Sequence, residues 1–185
     1  LESKDPQIIY EDQKVTVETI PLKHRIYTNG FLFKEKPGER KLLINEAVKH
    51  NIDISLYKSL KAGKDVQSND GKIIANHLVT GAPDAPKSYA YCSDTMFFPE
   101  IIPQIKDTTV LYHESTFLEE NLDLAEPTKH STARQAARIA KEAGVKHLVL
   151  GHYSTRYNDI SLFQKEAKTV FDQVELADDG KIFNF

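Results

Sequence analysis

The sequence predicts an α/β fold, a mixed sheet with flanking helices, and three observations carry that expectation. KVTVETI (14–20) and GFLFKE (30–35) alternate apolar and more polar residues with the period of two that a half-buried strand requires. The later block HSTARQAARIAKEAGVKHLVLGH (130–152) reads as a capped helix followed at once by an apolar strand, a unit that favours parallel neighbours. Between these regions, short apolar runs end repeatedly in a histidine or a carboxylate.

Taken in order, Val15, Val17 and Thr19 mark one face of the first strand, YTNG (27–30) supplies a turn, and GFLFKE forms the second strand. Residues 35–71 change character. KPGER, KAGKD and SNDG surround a polar amphipathic stretch, so this part reads as an inserted, arm-like segment. Lys58, Lys61 and Lys64 recur every third residue and read as a solvated face ahead of a nucleic-acid contact. From Lys72 the pattern becomes α/β: KIIANHLV (72–79), SYAYCS (88–93) and TTVLYH (108–113) read as strands, and FFPEIIPQI (97–105) as a short interrupted helix. Thr132 with Gln135 fits a capping box, in which hydroxyl and amide side chains satisfy each other's orphan backbone N–H groups. Ala133, Ala136, Ala137, Ala140 and Ala143 then form a small-residue face for close packing on a sheet, and Gly144 ends the helix before VKHLVL.

Bulk properties narrow the function. The chain has 185 residues, 40% hydrophobic and 28% charged, enough for one globular domain or most of one. No run approaches the ~18 apolar residues of a membrane span, and the start carries no signal-peptide pattern. Cys92 is the single cysteine, which excludes an intrachain disulfide and fits a reducing cytoplasm. A net charge of −3 argues against gripping nucleic acid by bulk electrostatics, though metal ions can supply local positive charge. The chain opens LESKDP and its only methionine is Met96, so we expect a fragment.

Reactive groups in open α/β sheets collect beyond the carboxyl ends of strands. Here SYAYCS delivers Asp94, TVLY delivers His113 and Glu114, and HLVLG delivers His152. His24 follows the first strand, and His130 lies just before the capped helix. Imidazoles and carboxylates at separate strand ends are what a metal site built from distant parts of a chain requires. Spacing alone leaves the bland reading open. A lone strand-end histidine serves a structural hydrogen bond more often than a metal, Asp94 and Thr95 could cap a helix, and Glu114 could orient an imidazole or be an ordinary loop acid. His50, His77 and His147 read as structural, and Cys92 as core rather than nucleophile.

Together, PLKH (21–24), YCSDT (91–95), YHESTF (112–117), HSTARQAARIAKEAG (130–144) and LGHYSTRY (150–157) resemble the ribonuclease Z family, tRNA 3′-end endonucleases of the metallo-β-lactamase superfamily. The segments occur in that family's order and cover the latter part of its αββα sandwich, so the resemblance implies that residues 1–185 are the C-terminal part of such a domain. It implies a site with two zinc ions, His24 on one, Asp94 bridging both and His152 on the other. His130 would assist catalysis near the scissile phosphate, with Glu114, Ser154 and Arg156 supporting the site or meeting phosphate. The implied reaction is hydrolysis of the RNA phosphodiester 3′ of the discriminator base, leaving a 3′-hydroxyl on the tRNA. The implied partners are precursor tRNA, held partly by an arm, and a second subunit in a homodimer.

The sequence departs from the family pattern in three places. It contains no His-x-His-x-Asp-His cluster, the family's signature metal motif, which belongs to the N-terminal half. Three ligands shared between two ions cannot close a tetrahedral site at either, so the chain alone is expected to be inactive. The segment NIDISLYKSLKAGKD (51–65), matching the arm, lacks proline, and Ser93 stands where many relatives have glycine. Two other readings stay open at this stage: a metallo-β-lactamase-fold phosphodiesterase with another substrate, and a non-catalytic half-domain serving in interaction or dimerisation.

Overall fold

The computed structural model describes residues 3–185, whose contacts divide into two compact units: 3–35 with 87–185, and 36–86. The first unit starts with three antiparallel strands, β1 (Ile8–Glu11), β2 (Val15–Lys23) and β3 (Tyr27–Glu35). YTNG is therefore no turn. It begins β3, and the reversal falls on His24–Ile26. Gly30 is needed for close approach instead, because a Cβ there would collide with the Tyr91 carbonyl oxygen.

The second unit carries β4 (Lys41–Leu42), α1 (Ile44–Lys49), α2 (Tyr57–Lys61), β5 (Val66–Gln67), β6 (Ile73–Ile74), α3 (Asn76–Val79) and β7 (Thr80–Gly81). It has its own small core of Ala47, Ile52, Leu60, Val66, Ile74 and Val79. Composition marks an insertion over 35–71. The unit continues to residue 86 because Lys41 and Leu42 pair with Gly81 and Thr80. KIIANHLV is mostly not strand: the Asn76 backbone N–H donates to Asp65 Oδ1 (2.7 Å) and its side-chain amide to the Leu60 carbonyl (2.6 Å), which draws the chain into a helical turn. Lys58 and Lys61 lie on α2, and Lys61 pairs with Glu39 at 3.0 Å between exposed side chains, as a solvated face would.

Back in the first unit come β8 (Ser88–Cys92), β9 (Val110–Glu114), α4 (Leu122–Thr128), α5 (Ala133–Ala143), β10 (His147–Gly151), α6 (Ser161–Ala167) and β11 (Val174–Leu176). In place of the interrupted helix expected over 97–105 there is one 3-10 turn, Pro99–Ile101, running into further turns. The sheet order is β1-β2-β3-β8-β9-β10-β11; β3 and β8 are antiparallel, and β8 through β11 are parallel. The sheet is mixed, as the sequence predicts.

One face of this sheet is dry. Ile20, Leu32, Ala90, Leu111, Leu148 and Leu150 are fully buried against Ala133, Ala136, Ala137, Ile139 and Ala140 of α5 and Phe163 of α6. These alanines, with Ala143, let α5 lie close to the strands, Thr132 and Gln135 form both halves of the capping box, and Gly144 closes the helix with φ 67°. The opposite face is aromatic, with Phe33 stacked on Tyr89 and Tyr91 on Tyr112; Phe33, Tyr89 and Tyr91 remain more than a third exposed. The sheet's directions decide where function can sit. β2 is antiparallel to β3 and β3 to β8, so β2 runs with β8, β9 and β10, and all four end at the same edge.

Candidate active site

That edge gathers the strand-end residues. His24 follows β2, Asp94 lies two residues beyond β8, Glu114 closes β9, and His152 follows β10. His130 precedes the Thr132 cap of α5, and the parallel bridge Phe117–Thr132 brings its loop to the segment after β9. The rings meet: His24 and His130 have centroids 4.9 Å apart, and His130 and His152 stack at 5.3 Å. Asp94 Oδ1 lies 3.2 Å from His152 Nε2.

Glu114 organises this cluster from beneath. Its side chain has no exposure and accepts five hydrogen bonds. Oε1 receives the Thr95 N–H (2.8 Å) and His130 Nδ1 (2.7 Å); Oε2 receives the Thr116 N–H (3.2 Å), the Thr116 hydroxyl (2.6 Å) and the Ser131 N–H (3.1 Å). Burial alone would drive the carboxyl's pKa up, but the donors from His130, Thr116 and Ser131 outweigh it and hold Glu114 below the usual carboxylate range. The same bond to Glu114 raises the pKa of His130 against the opposing effect of burial.

Each of the three imidazoles is anchored through Nδ1. His24 Nδ1 meets the Lys129 carbonyl (2.9 Å), His130 Nδ1 meets Glu114, and His152 Nδ1 meets the Thr116 hydroxyl (2.8 Å). Such anchoring leaves Nε2 as the atom available to a ligand. Three residues here hold left-handed backbone despite carrying side chains: Asp94 (φ 53°), Lys129 (φ 60°) and His152 (φ 60°). Lys129 takes this conformation as the C-cap of α4, while Asp94 and His152 adjoin residues held by Glu114 and Thr116, the contacts that such strain requires.

The donor set fits a divalent cation. One donor atom each from Asp94, Glu114, His130 and His152 lies within 4.8 Å of the others. Two ligands on one tetrahedral zinc stand roughly 3.4 Å apart, given bonds near 2.1 Å, and the Asp94–His152 separation of 3.2 Å matches. Glu114 is a poor ligand despite its proximity, since a carboxylate offers about four acceptor sites and its five donors already fill them. His24 stands outside that four-residue group and joins the cluster through its ring contact with His130.

The remaining candidates separate. The Ser154 N–H donates to the Thr116 carbonyl (3.1 Å), and Ser154 Oγ accepts from the Arg156 N–H (3.3 Å), which ties the His152 loop to the Thr116 segment. Arg156 is exposed. His113 turns away from the site into the core: it is 1% exposed, Nδ1 meets the Glu114 carbonyl (2.7 Å), and burial lowers its pKa. Cys92 is fully buried and its thiol is pushed up to about 12, which suits a core residue and not a nucleophile. The site also uses the hydroxyl and amide donors Thr95, Thr116 and Ser131, of which the sequence singles out only Thr95, as a possible helix cap. The other two stand in the segments YHESTF and HST only as neighbours of charged residues.

No family model matches the chain. Among solved structures, it resembles the metallo-β-lactamase-fold protein YhfI from Bacillus subtilis, with a TM-score of 0.61 at 18% identity, covering 100% of this chain and 54% of that one. It also resembles human tRNase Z, short form, with a TM-score of 0.56 at 20% identity, covering 98% of this chain and 47% of that one. Mixed sheet, helix-covered face and strand-end imidazoles thus define a chain of the metallo-β-lactamase fold. In sequence, it is 44% identical over 176 residues to the Ribonuclease Z of Bacteroides fragilis, covering 95% of this chain and 58% of that relative. The chain is thus similar to curated proteins named Ribonuclease Z over nearly its whole length, and it spans little more than half of theirs.

Proposed function

We propose that this chain is part of a tRNA 3′-processing endoribonuclease that hydrolyses a precursor-tRNA phosphodiester and leaves a 3′-hydroxyl on the tRNA. The observation that supports it is the set of three imidazoles, each anchored through Nδ1 and gathered with Asp94 at one sheet edge. In this reading His24, Asp94 and His152 hold two zinc ions together with ligands from outside the chain. When bound, such ions supply Lewis-acid activation of water and charge neutralisation at the phosphate.

The chain's own residues do the rest. His130, kept protonated to higher pH by Glu114, donates a proton from Nε2 toward the leaving oxygen, while its Nδ1–H stays on the carboxylate. Arg156, four residues after His152 on the same loop, supplies positive charge for a phosphate, and Ser154 shapes that loop through the Arg156 backbone N–H. The unit at 36–86 is the arm that holds the tRNA body, and the working protein is a cytoplasmic homodimer. No helix among the described residues is long and apolar enough to cross a membrane.

The test is cleavage of a precursor tRNA bearing a 3′ trailer, by this chain alone and by the chain joined to a family segment carrying His-x-His-x-Asp-His. Cleavage at the discriminator base is expected only from the joined protein with zinc, and its loss in His130→Ala. Failure of the zinc-loaded joined protein to cut any trailer-bearing tRNA would reject the reading.

A further inference from the structure

The hydroxyl of Thr116 links two parts of the site. It sits between a buried carboxylate and a half-exposed imidazole: 2.6 Å from Glu114 Oε2 and 2.8 Å from His152 Nδ1. A threonine hydroxyl has one proton to give, and an ionised carboxylate can only accept. Thr116 therefore donates to Glu114, and toward His152 its oxygen can act only as an acceptor. The proton on that side must belong to His152 Nδ1.

We propose that Thr116 is a positioning residue whose hydroxyl fixes the proton of His152 on Nδ1 and turns the Nε2 lone pair toward Asp94. Asp94 pulls the other way, since a proton on Nε2 would be attracted to its carboxylate. The comparison favours Thr116. The Asp94 contact is longer, at 3.2 Å, and joins side chains 47% and 41% exposed, where water screens the attraction. The Glu114–Thr116 bond is shorter and buried, where a hydrogen bond to a charged group is stronger and an unmet one costs more. Glu114 thereby governs two rings by different routes, His130 through a direct bond and His152 through the Thr116 hydroxyl. The tautomer stands on this hydrogen-bond geometry alone; only its use, presenting Nε2 to a cation, rests on the function proposed above.

The experiment is long-range 15N–1H NMR of the metal-free full chain, at alkaline pH where imidazoles are neutral. Wild type is expected to show a protonated Nδ1 and an unprotonated Nε2 at His152. Thr116→Val, which keeps the shape and removes the hydroxyl, is expected to lose that preference while the His130 signals keep theirs; Thr116→Ser is expected to restore it. In the chain joined to the His-x-His-x-Asp-His segment, zinc affinity is expected to fall about 10–100-fold in the valine variant and to recover in the serine variant. A His152 protonated on Nε2 in wild type overturns the proposal, as does an unchanged tautomer in Thr116→Val. If the valine variant does not fold, the wild-type tautomer and the serine variant still decide. A wild-type chain with the expected tautomer whose joined form, carrying the His-x-His-x-Asp-His segment, takes up no zinc supports the role of Thr116 and overturns the metal assignment instead.

Discussion

The dry face of the sheet and its carboxyl edge are built from the same strands by opposite means. On the face, Leu111, Leu148 and Leu150 meet the alanines of α5 through shape and apolar area, with no polar atom to satisfy. At the edge, a few residues further along, Glu114, Thr116, Ser131 and Thr95 are as deeply buried and are held by a carboxylate with five donors. The face tolerates exchange of one hydrophobe for another of similar volume. The edge does not, because each donor left without Glu114 would be buried and unsatisfied.

The contrast is broken most directly at Glu114. Glu114→Ala is expected to destabilise the chain by about 3–5 kcal/mol, since it leaves His130 and three backbone N–H groups without their acceptor; urea unfolding measures it. A loss below about 1 kcal/mol would mean the edge is not organised by this carboxylate. On the face, Leu150→Ala is expected to cost about 2–4 kcal/mol by the same method, and to leave the imidazole NMR signals in place. A cost near that of Glu114→Ala with the imidazole signals displaced would abolish the distinction between the two regions.

Acid separates the regions further. The folded pKa of Glu114 lies below its ordinary value of 4.5, so its contribution is present above that value and is lost as pH falls through the folded one. His130 is raised above 6.5, so its contribution is complete below 6.5 and is lost as pH climbs through its folded value. Both contributions coincide between 4.5 and 6.5. Unfolding measured across pH should show wild type and Leu150→Ala declining together below that window, and Glu114→Gln with a flatter acid limb. Smaller effects follow at the helix and the strained loop. Thr132→Ala removes the α5 cap and should cost about 1 kcal/mol by thermal melting. Lys129→Gly relieves a left-handed residue and should be neutral to stabilising, within about 1 kcal/mol. A marked loss there would mean that the Lys129 side chain, and not its carbonyl, holds His24.

This division also explains what the sequence made legible. Apolar period and capping chemistry are local, so β2, β3, β8, β9, β10 and α5 with its caps Thr132 and Gly144 can be read directly. YTNG and KIIANHLV depart from their local pattern because distant partners decide them: the Tyr91 carbonyl lies against Gly30, and Asp65 and Leu60 hold Asn76. Strand-end placement brought out His24, Asp94 and His152 as candidates, because strands running the same way deliver their ends to one edge, and the capping box marked the loop that carries His130. The Thr116 hydroxyl left no such trace. It meets a histidine 36 positions away, and a threonine in a loop has no period to betray it.

The hub at Glu114 carries a kinetic consequence. The amides of Thr95, Thr116 and Ser131 come from three separate loops but share one acceptor. Their hydrogens should exchange with solvent deuterium in concert, through a single opening event, and should slow together when a cation docks above them.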